Sequence, residues 1–543
     1  MKNTFKKMVA SIIAITSLTM SATGLHSMAE TNDVESEDLG FGEGLIPESE
    51  DELNAFAAQF DPDNQIELFA STALPSSVDL SDSPCFPPIG DQGSIGSCIA
   101  WASTYYQYSY EVNKLNNVTS TADRVIYSPK WTYNNINSGV DNGSSFTNAY
   151  TLLKNQGAVT LNEFPYYSSA GYDLQDLPTY NGAIEDMRNA LYTRLSFYGT
   201  YTISGNGTVI TSNKDSDLNQ VKTALNNGKV LTFQTYNDFN YKKGTGNWSN
   251  TKLVYRCYDA PDSGSHAMTI VGYDDNVTCD INGNGTIEAG ERGAFKVINS
   301  WGVTNSKANN AGVLWVMYDA LNGKSANNLN ESQFSSTRKR VFGIGTNNVF
   351  NYINVEHKTV AFVAEVSFST DRRNQVQIKL SKKTSFESDD TWATVYGFNS
   401  SINNPVSYDG TMVFDYGDLT ESLIDFYENF DLRISLNDTY SDGNKIEYKN
   451  MKITDSLGNV VSDYGKLNLN LDGSSYAPIS RIRLSKGDVD LNKNITVDDA
   501  IILQDYLLGK QAISYLQYFL SDMNDDRSVD VFDLSLLKKQ LTS

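Results

Sequence analysis

A polar, glycine-rich stretch that ends in a cysteine carries the clearest chemical signal in this sequence. Residues 91–101 read DQGSIGSCIAW, so a loop runs straight into Cys98 and then into an apolar, aromatic run. This pattern predicts a thiol in the first turn of a helix, where the helix dipole favours the thiolate that attacks carbonyl groups. Such a nucleophile needs a base and an oxyanion donor, and the side-chain amide of Gln92 is a candidate donor beside the Cys98 N–H. The alternative is a buried cysteine that serves only as a small apolar side chain.

Three histidines are present, which limits the choice of base. His26 falls in a segment with the features of a removable signal, and His357 has the context of a solvated residue at a strand end. His266 follows a polar turn and enters an apolar run, which predicts the start of a strand; a satisfied core histidine is the alternative. A second apolar run ends at Asn299 and Trp301.

In this order, the stretches around Cys98, His266 and Asn299 resemble the papain family of cysteine peptidases over residues 74–345. The resemblance implies that Cys98 is the nucleophile and that His266 acts first as base and then as acid. It also implies that Asn299 orients the imidazole and that Gln92 is the oxyanion donor. It also implies that Trp301 covers the histidine–asparagine hydrogen bond.

The sequence departs from the papain pattern near the nucleophile. Papain-like turns usually carry a disulfide cysteine three residues before the nucleophile, where this chain has Ile95, and a tryptophan just after it, where this chain has Ile99. The usual disulfide beside the site is therefore absent. The spacing from Cys98 to His266 also exceeds the roughly 130–150 residues of the archetype, so insertions must lie between them.

The resemblance extends to substrate binding. In papain-like folds an Asn-Gly-Gly sequence lays the substrate backbone along an extended strand. Asn142 and Gly143 match that motif, whereas Ser144 replaces its second glycine. We expect these residues, with Ser265 and Trp301, to contact substrate; an ordinary glycine-rich turn at residues 142–144 is the alternative.

Length and composition limit the possible functions. The 543 residues predict several domains, and the net charge of −23 argues against nucleic acid, whose phosphates need a basic surface. Four cysteines rule out a disulfide-built scaffold. Because Cys98 is needed as a thiol, Cys85, Cys257 and Cys279 form one bridge at most, or all three are free.

The amino-terminal residues have the features of targeting and leader segments. Residues 1–29 combine a lysine-rich start, a short apolar core and a small-residue cleavage site, which predicts a secretory signal; a retained membrane anchor is the alternative. Residues 30–73 are acidic and predict a leader or short pro-segment. This segment lacks the long helical pro-region typical of papain zymogens, which argues against autoinhibition.

Residues 280–291 match a calcium loop by position, with a glycine at position 6 and an apolar residue at position 8. Strands are expected on both sides. The alternative is a polar surface hairpin, since Asn-Gly pairs also form simple turns. The expected ligands are Asp280, Asn282, Asn284, Thr286 (through its carbonyl), Glu288 and Glu291.

Residues 346–484 change in character and alternate between apolar and polar residues, which predicts a β-sandwich accessory domain. Part of it loosely resembles the jelly-roll modules appended to secreted peptidases. A structural appendage and a domain that binds sugar or substrate both remain open.

Residues 486–543 contain an internal repeat, in which two oxygen-rich loops lead into apolar helices predicted at residues 500–508 and 534–541. The last position of each loop is aspartate, and Lys493 and Arg527 replace the usual glycine at position 6, which predicts a reduced affinity. The expected calcium ligands are Asp488, Asp490, Asn492, Asn494, Thr496 and Asp499 in the first loop, and Asp522, Asn524, Asp526, Ser528, Asp530 and Asp533 in the second.

Paired loops of this kind at a chain end resemble a type I dockerin, a family that binds cohesin domains on the scaffoldins of cellulosome-like assemblies. The resemblance places partner choice at Val497, Asp498, Val531 and Phe532. A calmodulin-like sensor is the alternative, although sensors need two full helix pairs.

Together these features predict a multidomain α+β protein: a two-lobed papain-like peptidase with a helical lobe and a β-barrel-like lobe, a β-sandwich, and a small α-helical dockerin. The predicted function is a secreted, monomeric cysteine endopeptidase with no membrane attachment after signal cleavage. It is expected to be held at the cell surface by a scaffoldin of a polysaccharide-degrading complex. Two calcium ions are expected in the dockerin and one in residues 280–291. The rival hypothesis is a catalytically silent protein that binds peptides or cell walls on the same scaffold.

Overall fold

The computed structural model describes fifteen segments of the chain. The predicted signal at residues 1–29 and the beginning of the acidic leader lie outside these segments. Within them, no helix has the length and apolar character needed to cross a membrane. The described residues are 43–62, 73–137, 141–167, 183–202, 214–236, 239–258, 264–303, 312–321, 338–339, 341–344, 349–384, 391–395, 407–419, 429–466 and 469–543.

The helices of residues 43–321 are short, and serine side chains begin several of them. Ser49, Ser128 and Ser145 each accept a hydrogen bond from a backbone N–H of the first turn, which satisfies a donor that the helix itself leaves unpaired. These helices are α1 (Glu50–Ala57), α2 (Cys98–Ala100), α3 (Ser109–Leu115), α4 (Pro129–Ile136), α5 (Phe146–Gln156), α6 (Ile184–Ala190) and α7 (Lys214–Asn226).

Helices α2 and α3 are the two ends of one helical segment, joined by a π-helix over Trp101–Tyr108. Every residue of the π-helix is buried, and the Trp101 ring lies 4.9 Å from that of Tyr166. Stretches of π-helix are rare and occur often at functional sites. The segment therefore anchors the residue at its start, Cys98, in the protein interior.

A large mixed sheet packs against these helices. Its strand order is β2-β10-β3-β6-β7-β8-β5-β4, with β1 added beside β6 and β9 beside β5, and only the β5–β8 pair is parallel among the described pairs. The strands are β1 (Ser77–Asp79), β2 (Thr193–Thr202), β3 (Leu231–Tyr236), β4 (Phe239–Lys243), β5 (Lys252–Tyr258), β6 (Ser265–Thr278), β7 (Arg292–Ile298), β8 (Val313–Met317), β9 (Arg338–Lys339) and β10 (Val349–His357).

Strand β10 corrects the domain boundary predicted from the sequence. The boundary at residue 346 assigned this strand to the β-sandwich, whereas β10 pairs with β2 and β3 of the large sheet. An alternating pattern shows that a strand is packed on a face but does not specify which sheet it joins. His357 ends the strand and is exposed, as expected, with its ring nitrogens near Thr193 and Asn116.

Two antiparallel five-stranded sheets follow in residues 363–483. They face each other: the Tyr448 and Tyr476 rings, one from each sheet, lie 5.2 Å apart, and the Tyr416 hydroxyl donates to the Arg433 carbonyl. The strands are β11 (Val363–Thr370), β12 (Val376–Thr384), β13 (Thr391–Val395), β14 (Tyr408–Asp415), β15 (Asn429–Asp438), β16 (Ile446–Thr454), β17 (Val460–Asp463), β18 (Leu469–Leu471), β19 (Ser475–Tyr476) and β20 (Ile479–Arg483).

Buried ion pairs join this sheet pair to the first region. Arg188 pairs with Glu365, and Arg194 pairs with Asp415. The buried guanidinium of Arg373 donates a hydrogen bond to the carbonyl of Asn134 in α4. Because removal of one partner would leave an uncompensated buried charge, such pairs hold the two regions in one arrangement.

Three helices form the carboxyl-terminal region: α8 (Val497–Leu507), α9 (Tyr515–Ser521) and α10 (Val531–Thr542). The first and last begin three residues before the helices predicted from the sequence, because Thr496 and Asp530 act as capping residues at their starts. Leu503 and Leu537 bury the contact between α8 and α10. With the sheets described above, these helices confirm the mixed α+β composition.

Candidate active site

The turn that carries Cys98 is held by hydrogen bonds to its own backbone. The carbonyl of Ile95 accepts the Ser97 N–H at 2.8 Å and the Gln92 side-chain amide at 2.9 Å. Cys98 is the first residue of α2 and is fully buried. The sequence-based placement of this thiol at the start of a helix therefore agrees with the structure.

Antiparallel pairing of β6 and β7 brings the histidine and the asparagine together. Thr269 lies opposite Ile298, so the start of β6 lies beside the residues that follow β7. There, His266 Nε2 lies 2.7 Å from Asn299 Oδ1. The same oxygen accepts the backbone N–H of Ser300 at 2.8 Å, which identifies it as the acceptor.

This acceptor assigns the proton on the imidazole. Since Asn299 Oδ1 can only accept, Nε2 of neutral His266 carries the hydrogen and Nδ1 carries the lone pair. Nδ1 is buried and has no hydrogen-bond partner in the part of the chain that the structure describes. The backbone N–H of Ala267, the next residue, hydrogen-bonds to the Cys98 thiol, so the thiol lies beside the histidine.

Trp301 and Gln92 lie on either side of this pair. The Trp301 ring is buried with its centroid 5.0 Å from that of His266, where it shields the imidazole from water. The Gln92 N–H donates to the Ser300 carbonyl at 2.8 Å, and its side-chain oxygen accepts the Ser300 hydroxyl. These bonds join the nucleophile turn to the end of β7.

Burial dominates the electrostatics of the site. It raises the pKa of the Cys98 thiol to about 11, although the N–H groups of Ala267 and Gly44 favour the thiolate. Burial also lowers the pKa of His266 to about 4, against the opposing effect of the Asn299 hydrogen bond. The pair is therefore neutral in this arrangement.

An extended stretch of the leader, residues 43–49, covers the site, and we call it the closing segment. Its pairing with Ser144 is parallel: Ile46 N–H donates to the Ser144 carbonyl, and Ser144 N–H donates to the Gly44 carbonyl, both at 2.8 Å. Leu45 is buried, and its N–H donates to the Ser265 carbonyl at 3.3 Å. The closing segment thus occupies the edge expected to bind substrate.

Glycine is required where this segment crosses the site. A Cβ at Gly44 would lie 1.7 Å from the Gly96 carbonyl oxygen, two residues before the nucleophile. A Cβ at Gly143 would lie 2.0 Å from the Gly44 carbonyl oxygen, and its φ of +76° also favours glycine. The predicted contacts Gly143, Ser144 and Ser265 thus meet the closing segment, whereas the side chain of Asn142 is exposed.

The carboxyl-terminal end of the closing segment and the helix that follows it, α1, hold the segment in place. Glu48 accepts the N–H groups of Phe146 and Thr147 at the start of α5, where the helix dipole favours a carboxylate. Leu53 and Phe56 of α1 are buried, and Phe56 packs against the Tyr198 ring at 4.9 Å. The sequence did not predict this anchor, because α1 is much shorter than the helical pro-regions of papain zymogens. The capping box of Ser49 with Glu52 was the available signal for the start of this helix.

Residues 280–291 form a compact loop between β6 and β7, as expected. The buried Glu291 at position 12 accepts the N–H groups of Ile281 and Asn282 with one oxygen and that of Glu288 with the other. Asp280 at position 1 accepts the N–H of Gly285 at 2.8 Å. These hydrogen bonds close the loop on itself, and calcium binding by residues 280–291 stays a prediction.

The two carboxyl-terminal loops share this hydrogen-bond frame. Asp499 accepts from the N–H groups of Val489, Asp490 and Thr496, and Asp488 accepts from that of Lys493. In the second loop Asp533 accepts from Met523 and Asp530, and Asp522 accepts from Arg527.

The first of these loops has the features of a cation site. Asp488, Asp490 and Asp499 each offer an oxygen within 4.8 Å of the others. One oxygen of the buried Asp488 has no hydrogen-bond partner among the described residues. Burial and the neighbouring carboxylates raise the pKa of Asp488 to about 6, as expected for acids crowded around a centre that a divalent cation would neutralise.

Position 6 has a left-handed backbone in all three loops. Its φ is +81° at Gly285, +73° at Lys493 and +68° at Arg527. Residues with a Cβ adopt this conformation at a cost of about 1–2 kcal/mol. The two carboxyl-terminal loops are therefore strained at the position where the loop in the first region has glycine.

The residues predicted to choose a partner lie at the surface. Val497 and Phe532 are 64% and 68% exposed, unusual values for large apolar side chains, and Val531 and Asp498 are exposed as well. They occupy the first turns of α8 and α10, apart from the catalytic residues. Elsewhere, Cys85 and Cys279 are free and buried, and the side chain of Cys257 lies outside the described residues.

Comparison with known families agrees with the order of these sites. The profile described as papain family cysteine protease matches residues 74–315, and that described as dockerin type I domain matches residues 486–542. A comparison with curated proteins finds no match.

Solved structures of cysteine proteases are also similar to this chain, at low identity. Xylellain from Xylella fastidiosa is 20% identical over 58% of this chain and 96% of its own, with a TM-score of 0.34. Procathepsin B S9 from Trypanosoma congolense is 15% identical over 59% and 87%, with a TM-score of 0.35. Digestive procathepsin L 3 of Tenebrio molitor larval midgut is 16% identical over 56% and 78%, with a TM-score of 0.32.

The first family match contains the thiol, the imidazole and the amide of the candidate active site. The second contains the paired acidic loops. Residues 74–315 of this chain are a papain family cysteine protease domain and residues 486–542 are a type I dockerin domain, and the chain is a cysteine peptidase.

Proposed function

We propose that this chain is a secreted endopeptidase that cleaves peptide bonds through Cys98, His266 and Asn299, and that its dockerin attaches it to a cohesin-bearing scaffoldin. The observation that carries the catalytic part is the bond from His266 Nε2 to Asn299 Oδ1. It leaves Nδ1 unprotonated and buried, with the thiol at the backbone N–H of the next residue, Ala267, and a general base needs such a free lone pair.

The reaction follows from the roles of these atoms. His266 Nδ1 takes the Cys98 proton, and the sulfur attacks the substrate carbonyl to form a tetrahedral intermediate. The Cys98 N–H and the Gln92 side-chain amide stabilise the oxyanion. His266 then protonates the leaving amine and, in the second half, activates the water that releases the acid product from sulfur. Asn299 holds the imidazole in orientation throughout.

The closing segment supports a resting form in which substrate is excluded. It occupies the backbone edge of Ser144 and Ser265 and runs parallel to Ser144, and it buries both catalytic groups so that neither charged form is favoured. Removal of residues 43–49 would admit water and substrate together. We therefore propose that the leader is a short inhibitory pro-segment, contrary to the expectation from its sequence.

The rival function, a silent protein that binds peptides or cell walls, uses the same cleft without turnover. Binding alone does not require the thiol, the imidazole with a free lone pair and the orienting amide in one place. Hydrolysis of unstructured casein under reducing conditions by a chain whose residues 43–49 no longer cover the site, lost on Cys98→Ala, separates the two hypotheses. Binding of casein without cleavage would favour the rival.

Attachment to a scaffoldin rests on the dockerin. Its loops would each hold one calcium ion through the residues named above, and the ions would neutralise carboxylates that otherwise repel one another. The exposed apolar residues Val497, Val531 and Phe532 supply the surface for a cohesin. An enzyme located in this way would act extracellularly, at the surface of the cell that carries the scaffoldin.

The first prediction separates the nucleophile from the orienting residue. Cys98→Ala should abolish casein hydrolysis. Asn299→Ala should leave an enzyme about 10²-fold slower, because the base persists but a misplacement of about 1 Å in its ring is costly. Steady-state kinetics on a fluorogenic peptide measure both. Wild-type turnover in Asn299→Ala would remove this residue from the mechanism.

The second prediction concerns closure. Gly44→Val places a side chain against the Gly96 carbonyl and should displace the closing segment. Alkylation of Cys98 at pH 7 should then rise on the order of tenfold or more, since exposure lowers the thiol pKa. In the unaltered chain the rate should keep rising toward pH 11, as the thiol pKa of about 11 requires.

Ile46→Ala is the matched control, because that side chain is 42% exposed and the closing segment should stay in place. Mass spectrometry of the iodoacetamide-labelled peptide measures the rate. Equal alkylation rates and equal pH profiles in the unaltered chain and in Gly44→Val would show that residues 43–49 do not protect the site.

The third prediction tests calcium in the peptidase domain. Asp280→Asn keeps an acceptor for the N–H groups of the loop but removes a charge, so it should lower the calcium bound per chain by one ion while leaving the dockerin ions in place. Isothermal titration counts the ions, and Asp82→Ala, an exposed acid elsewhere, is the control. An unchanged count would exclude this loop as a calcium site.

The fourth prediction uses the strain in the dockerin. Lys493→Gly should relieve the left-handed strain at position 6 and tighten calcium binding at the first loop by about 1 kcal/mol, or roughly fivefold. Lys493→Ala removes the same charge but keeps a Cβ, so it should gain less. Calcium titration followed by helical circular dichroism measures both, and an equal gain in the two variants would assign the effect to charge.

A further inference from the structure

One carboxylate contacts both loops that flank the nucleophile. Oδ1 of the half-buried Asp141 accepts the backbone N–H of Gly96 at 2.9 Å and the hydroxyl of Tyr133 at 2.6 Å. The Tyr133 oxygen in turn accepts the backbone N–H of Gly143 at 3.1 Å. A short chain of hydrogen bonds therefore runs from the turn that holds Cys98 to the stretch that binds the closing segment.

The direction of this chain is fixed by chemistry. Tyr133 is fully buried on α4, and burial, followed by the charge of Asp141, raises the pKa of its phenol. The phenol therefore keeps its proton, which it gives to Asp141, and its oxygen lone pair remains for the Gly143 N–H. The Asp141 carboxylate accepts the Gly96 N–H and the Tyr133 hydroxyl accepts the Gly143 N–H, so both groups are needed to pair the two backbone donors.

The two ends of this hydrogen-bond chain lie in loops with different proposed roles in catalysis. Gly96 precedes Cys98 by two residues, in a turn that is buried and tightly packed: a Cβ at Gly96 would lie 3.0 Å from Asp141 Oδ1. Gly143 adjoins Ser144, whose backbone N–H and carbonyl bind an extended chain. The distance between nucleophile and bound backbone depends on how these two loops are held relative to each other.

No covalent link performs this task at the nucleophile turn. The position at which papain-like turns carry a cysteine is Ile95 here, and Cys85, Cys98 and Cys279 are free. Hydrogen bonds to an ionised acceptor are stronger than those between neutral groups, which suits a carboxylate to this role.

We propose that Asp141 is a positioning residue for peptide hydrolysis: its carboxylate, directly and through Tyr133, holds the Cys98 turn and the Gly143–Ser144 substrate edge at the spacing that brings the sulfur to the scissile carbonyl. The proposal rests on the proposed function of Cys98. It assigns Asp141 no contact with substrate, so its loss should impair reactions that use both loops and spare those that use the thiol alone.

The test compares two reagents on the same full-length chain, carrying Gly44→Val so that the cleft is open. Iodoacetamide needs only the thiol, whereas a peptidyl chloromethyl ketone with leucine must also lie along the substrate edge. Because both need an open cleft, the ratio of their rate constants is independent of how often the closing segment departs. Asp141→Leu should lower the peptidyl rate by about 10²-fold and the iodoacetamide rate by less than about threefold.

Two further variants make the result specific. Asp141→Asn keeps an oxygen acceptor and should restore the peptidyl rate to within about fivefold, while Tyr133→Phe, which cuts only the Gly143 arm, should raise KM for a fluorogenic peptide more than it lowers kcat. Asp123→Leu, at an exposed acid in the same domain, is the control and should change neither rate.

The outcomes are distinguishable. An equal fall of both rates in Asp141→Leu, no fall in either, or failure of Asp141→Asn to rescue would each overturn the proposal, the first by showing a purely structural role. Label found by mass spectrometry on a cysteine other than Cys98 would instead overturn the proposed function. Label on Cys98 together with a selective loss of the peptidyl rate supports both.

Discussion

The proposed peptide hydrolysis depends first on the hydrogen bond from His266 to Asn299. It sets the ring orientation and assigns the proton to Nε2, which leaves the lone pair on the opposite nitrogen, Nδ1. The bond exists because β6 and β7 pair in one register, with Thr269 opposite Ile298. A shift of one residue would turn the histidine to the other face of the sheet. The register of β6 and β7 therefore determines whether His266 and Asn299 meet.

Burial both builds the site and restrains it. Trp301 and the closing segment exclude water, which strengthens the interactions of polar groups with one another, but the same exclusion disfavours the charged thiolate and imidazolium. In the proposed function, this opposition keeps the thiol and the imidazole uncharged until the closing segment leaves. The extended stretch that occupies the substrate edge also removes the solvent that would stabilise the reactive ion pair, so exclusion of substrate and suppression of reactivity have one physical cause.

The two β-sheets that follow the peptidase domain are joined to it by buried charges. Arg188 with Glu365 and Arg194 with Asp415 cross between the regions, and Arg373 reaches α4, the helix that carries Tyr133. Such contacts favour a fixed support over a swinging binding module, because separation would expose or strand buried charges. The loop at residues 280–291 and the two dockerin loops share one hydrogen-bond frame. The backbone at position 6 is left-handed in all three, and only the loop in the peptidase domain has glycine there.

Sequence alone determined the chemical groups and their order. The thiol, the imidazole, the amide and the acidic loops were predicted because each requires particular residue types at short spacing, and local spacing is written directly in the chain. The helix start at Cys98 and the strands on either side of residues 280–291 followed for the same reason. What depended on contacts between distant residues could not be predicted in this way. Strand β10 was assigned to the wrong sheet because alternation reports burial and not partnership. The position of the closing segment was not predicted either, because it depends on glycines 44, 96 and 143 meeting across the fold. The role of Asp141 likewise emerged only when folding brought Gly96 and Tyr133 to one carboxylate. Tertiary structure decided these features because backbone pairing and close packing are properties of surfaces that the sequence brings together, and no local pattern records which surfaces will meet.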